Sequence, residues 1–102
     1  SSGHMDEPSV VSDGERQRVL KLIKKRPWEF EHASEQCRSD RGLVLAAVRR
    51  LPHALEWASE RCKSDREIVL TAVRKNGWTL QWVAESLRGD RAIVQTAVRQ
   101  LG

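Results

Sequence analysis

Cysteine and histidine are the residues through which a small domain most often does chemistry, and this 102-residue chain carries Cys37, Cys62, His32 and His53, with His4 near its start. Two thiols could form a redox couple or half of a zinc site, and two imidazoles could move protons. Spacing argues against both. Cys37 and Cys62 stand 25 residues apart, and the next position in that series is Leu87. A slot that accepts leucine is a packing slot, and a buried free thiol behaves there as a small hydrophobe. No Cys-x-x-Cys pair or companion histidine supplies the ligand spacing of zinc. His32 and His53 fall, at the same shift, on Trp57 and Trp78, so their slots take large flat side chains. No serine or cysteine is tied to them in the order a nucleophile and its base require. The expectation is a protein without a catalytic residue, metal or cofactor.

The shift of 25 is the organising feature of the chain. It superposes Asp40, Asp65 and Asp90, then Arg41, Arg66 and Arg91, then Val19, Val44, Val69 and Val94, with no gap. Pro27, Pro52 and Gly77 also coincide, placing helix-breaking residues at one point of each copy, the prolines because they lack a donor and Gly77 because glycine readily takes a left-handed turn. Units of 13–38, 39–63 and 64–88, with a half unit at 89–101, together make one helical-repeat domain.

Each unit reads as two helices. In the first, Leu43, Val44, Ala47 and Val48 form one apolar stripe, repeated as Ile68, Val69, Ala72 and Val73 and as Ile93, Val94, Ala97 and Val98. Ser64 is the expected N-cap, with Glu67 completing a capping box and Asp65 favouring the positive end of the helix dipole. The second helix runs from the Pro or Asn-Gly break to about Arg38, Lys63 or Arg88, with Leu55, Ala58 and Cys62 on one face. Helices of this length are marginal alone, so neighbours must cover them. The expected architecture is all-α, with helix pairs stacked as a small α-solenoid of about seven helices.

Two ladders remain outside that core. Trp28 and His32, His53 and Trp57, and Trp78 and Trp82 are i, i+4 pairs on the second helix. Either each pair wedges against the helix of the adjoining unit, or Trp28, His53 and Trp78 form a partly exposed, candidate partner-binding series. Lys24, Arg49, Arg74 and Arg99 make a basic ladder expected to face solvent, and Arg49, Arg74 and Arg99 join the candidate partner-binding residues, although cations at helix C-termini are also favourable for stability alone.

With "DREIVLTAVRKNGWTLQWVAESLRGDR" in the third unit and "DRGLVLAAV" and "ALEWASERC" in the second, residues 13–101 resemble the helical repeats called domain of unknown function 4116. That resemblance implies tandem helical copies and carries no activity. The resemblance also implies an aromatic at the Trp57 and Trp82 slots, which makes these two the core candidates. Glu15, which stands where later units have Asp, and Pro27 and Pro52, where the third unit has Gly, depart from the pattern.

Composition sets outer bounds. A net charge of +4, from 18 basic and 14 acidic residues interspersed along the chain, permits nucleic-acid binding without demanding it. Glu35, Glu60 and Glu85 recur as regularly as the arginines, which favours a protein partner, with nucleic acid as the alternative. No apolar run reaches the ~18 residues of a spanning helix, so no membrane is expected. Reduced cysteines fit a cytoplasmic monomer. Residues 1–5 have the look of a tag remnant and 6–12 of a disordered lead-in.

Overall fold

The computed structural model describes residues 11–101. Residues 1–10 lie outside it, and with them the tag remnant and most of the expected lead-in; the last two residues of that lead-in are ordered elements of the fold, because Val11 is buried and Ser12 caps the first helix. The described chain contains helices and no strand: α1 (Asp13–Lys25), α2 (Glu35–Arg38), α3 (Arg41–Arg50), α4 (Glu60–Lys63), α5 (Arg66–Lys75), α6 (Glu85–Arg88) and α7 (Arg91–Leu101), with 3-10 turns at Pro27–His32, Pro52–Trp57 and Gly77–Trp82. The all-α repeat is as expected.

The second helix of each pair is divided. A 3-10 turn comes first, then an extended residue at Ala33, Ala58 or Val83 (ψ of 159°, 156° and 141°), then one turn of α-helix. The division follows from the residue after it. Ser34 and Ser59 take N-cap geometry, their hydroxyls accepting from the backbone N–H of Cys37 and Cys62. A serine that can satisfy a free donor of the next turn draws the backbone out of the helix before it. Proline at the first position of two of the 3-10 turns fixes where each begins.

The long helices start one residue later than the Ser64 cap would place them. Asp40, Asp65 and Asp90 are the N-caps, accepting from the N–H groups of Leu43, of Glu67 and Ile68, and of Ile93. Ser64 instead closes α4, its hydroxyl donating to the Glu60 carbonyl. A carboxylate accepts more strongly than a hydroxyl, and two competing caps in sequence resolve in its favour. In the first unit Glu15 fills the aspartate slot, and the cap retreats to Ser12, which accepts from the Glu15 N–H at 3.2 Å. This makes α1 13 residues long, against 10 for α3 and α5.

Successive long helices pack side by side, α1 on α3, α3 on α5 and α5 on α7, in a body of 50 × 31 × 16 Å. Contacts at both ends show that α1 and α3 run parallel: Arg16 meets Asp40 at their N-terminal ends, and Arg50 donates to the Lys24 carbonyl at their C-terminal ends. The core is the stripe read from the sequence, with Leu43, Val44, Ala47, Val48, Ile68, Val69, Ala72 and Val73 fully buried beside Phe30 and Leu55. Backbone bonds also join units directly, from the Ser59 N–H to the Arg38 carbonyl and from the Ala84 N–H to the Lys63 carbonyl, both at 3.0 Å.

Gly77 has a different reason from a left-handed turn, since no described glycine has positive φ. A β-carbon there would lie 2.3 Å from the Ala97 carbonyl oxygen and 3.0 Å from Leu101. The glycine lets α7 close on the third 3-10 turn.

Candidate functional site

The thiols are core. Cys37 and Cys62 are buried and unbonded to each other, and burial pushes both thiols above their ordinary range. The Cys37 thiol also donates to Glu15, which raises it further. A protonated, enclosed thiol is a poor nucleophile and a poor metal ligand. Among the described residues no three metal-ligating side chains gather at one point.

Charge divides the array into two unlike edges. At the N-terminal ends of α1, α3 and α5 an arginine reaches the capping aspartate of the following unit: Arg16 to Asp40 at 2.5 Å, Arg41 to Asp65 at 2.6 Å and Arg66 to Asp90 at 3.1 Å, with Glu67 joining Arg41. Burial would push the Asp40 and Asp65 carboxyls up, but the guanidinium of the preceding unit and the helix N–H groups outweigh it and hold both below the usual carboxylate range. Asp90 is held low chiefly by its bond from Arg66, with the Ile93 N–H assisting. The repeated Asp and Arg were visible in the sequence, but their pairing across units was not.

The opposite edge collects the residues singled out for binding. Arg49 and Arg74 sit in the last turns of α3 and α5, Arg99 near the end of α7, and all three are exposed with no ion pair among the described residues. Just beyond those helix ends the 3-10 turns carry the aromatic series. Trp28 is 56% and Trp78 68% exposed, while Trp57 and Trp82 are half-buried against the core. His53 stands between the two inner rings, 5.4 Å from Trp57 and 4.5 Å from Trp82, edge to face in both cases. Its Nε2 lies 2.7 Å from Glu56, so the imidazole is positioned by its own turn and by the next unit. His32 is exposed. The structure thus brings Trp28, His53 and Trp78 to the same edge as Arg49, Arg74 and Arg99.

Lys24, Lys25, Arg50 and Lys75 add to this edge, and Arg50 satisfies a terminal carbonyl of α1. Glu29 and Glu56 stand among the cations, within 4.0 Å of Arg26 and 2.7 Å of His53. The edge is cationic and aromatic, with carboxylates interspersed.

The family model described as "Domain of unknown function (DUF4116)" matches three times, over residues 16–63, 40–88 and 65–102. The chain belongs to this family. Successive DUF4116 matches are displaced by one unit, and the first two each span two. The matched length therefore encloses a unit-to-unit interface, with the Arg16–Asp40, Arg41–Asp65 and Arg66–Asp90 pairs each falling inside one match. No curated protein and no solved structure is a match to this DUF4116 chain.

No helix among the described residues is long and apolar enough to cross a membrane.

Proposed function

We propose that this DUF4116 chain is a short α-solenoid without enzymatic activity that serves as a protein-binding scaffold, and that its partner docks on the C-terminal edge of the long helices. One observation carries the reading: the fold neutralises Arg16, Arg41 and Arg66 on one edge with its own aspartates and leaves Arg49, Arg74 and Arg99 uncompensated on the other, beside Trp28 and Trp78. Tryptophan and arginine are the types enriched at binding hot spots, and a rigid array fixes their spacing before a partner arrives. The fitting partner is a segment bearing carboxylates and apolar side chains. Glu29 and Glu56 inside the cationic edge would repel a continuous phosphate backbone, which ranks nucleic acid second. The buried, protonated thiols fit a monomer working in the reducing cytoplasm.

Selection of displayed peptides on the immobilised protein tests the proposal. Acidic peptides with an apolar anchor should be enriched, and Trp28→Ala, Trp78→Ala or Arg74→Glu should weaken them tenfold or more while melting temperature is unchanged. Retention of the same peptides by all three variants would refute the assignment. Single-stranded RNA that binds at low salt and is released as salt rises would favour the alternative.

A further inference from the structure

The last long helix repeats an interface that has nothing on it. In α3 and α5 the stripe valines Val48 and Val73 are wholly buried, yet the matching Val98 of α7 is 58% exposed. Leu101 (47%) extends the uncovered apolar strip. At its N-terminal end stands Arg91, the counterpart of Arg16, Arg41 and Arg66, and it makes no ion pair among the described residues. The outer face of α7 therefore repeats the half-interface that α3 and α5 present to their successors.

Charge decides what can cover it. The opposite end of the array, the outer face of α1, is lined by Arg18, Lys21 and Lys25 around Leu22. Head-to-tail stacking of two copies would offer Arg91 the carboxylate of Glu15 but would bury those cations against the apolar strip, and unpaired buried charge is strongly unfavourable. A second α7 fares no better, because the helix has no acidic residue and a two-fold pairing opposes Arg91 to Arg99. We infer that the outer face of α7 is a docking surface for one further unit of the same kind: a helix N-capped by aspartate, with a Leu/Ile-Val-x-x-Ala-Val stripe. Its aspartate would take Arg91 and its stripe would cover Val98. This surface is distinct from the Trp and Arg edge, and the inference does not rest on that reading.

Gly102 aligns with Gly77, so a second copy of residues 78–102 placed directly after Gly102 continues the period in register. In this lengthened chain the helical circular-dichroism signal should grow by one unit and the melting temperature should rise by about 4 °C or more, each kcal/mol being worth roughly that much in a domain of this size. Arg91→Ala should lower the melting temperature of the lengthened chain and leave that of the 102-residue chain unchanged. An added segment that stays unfolded, or an unchanged melting temperature, would overturn the inference. So would a dimer of the 102-residue chain in light scattering that Val98→Asp dissociates, since the occupant would then be a second copy. An Arg91 effect equal in both chains, or absent from both, would remove the ion pair from it.

Discussion

Asp40 shows how one side chain can hold two levels of structure. Its carboxylate caps α3 through the Leu43 N–H and binds Arg16 of the preceding unit. Asp40→Ala should cost about 1–2 kcal/mol in urea unfolding at neutral pH, as loss of a strong cap does, and Asp40→Asn should cost less because the cap survives. The three aspartates have folded pKa values below the unfolded value of ~3.9. Their contribution is thus fully present above that pH and is lost as pH falls through the lowered folded values. Stability measured between pH 6 and 2 should decline below about pH 4, less steeply in Asp40→Asn. The recurrence of Asp and Arg was plain in the sequence. Their partnership was hidden because each arginine adjoins one acidic residue in the chain but bonds an aspartate 24 residues on. Gly77 was legible as a special position for the wrong reason. Gly77→Ala should cost about 1–3 kcal/mol through its clash with the Ala97 carbonyl, whereas Gly89→Ala, with nothing near its β-carbon, should be neutral or slightly stabilising.

Among the elements, the long helices were readable because apolar period, acidic start and basic end agree. The second helix of each pair was not, because its residues suit a continuous helix and the break depends on a serine cap competing with the residue before it. Ser34 and Ser59 carried that signal, each followed by a glutamate in the first turn. The third unit has Ala84 in the slot, and α6 has no side-chain cap and no buried residue. Ala84→Ser should therefore stabilise the protein by about 0.5–1 kcal/mol, read as a raised urea midpoint with an unchanged slope. An unchanged midpoint would mean that α6 follows α7 rather than standing on its own cap.

Across the whole molecule, burial at one repeat slot depends on its place in the stack. Val73 and Val98 are equivalent in sequence, yet one is enclosed and the other is 58% exposed. Val73→Ser should cost at least about 2 kcal/mol, for a lost apolar contact and a buried hydroxyl, and Val98→Ser should change stability by no more than about 0.5 kcal/mol. Periodicity made the slots legible, but not the end effects, which arise only when neighbours are counted. The same holds for the two edges: the ladders could be seen in the sequence, and their unequal compensation only in the fold. The most direct measurement is a nitrogen-15 spectrum of the four tryptophan indoles, recorded while an acidic, apolar-anchored peptide is added. Shifts at Trp28 and Trp78, with smaller changes at the half-buried Trp57 and Trp82, are the expected result. Binding that leaves the Trp28 and Trp78 signals in place would contradict a docking edge there.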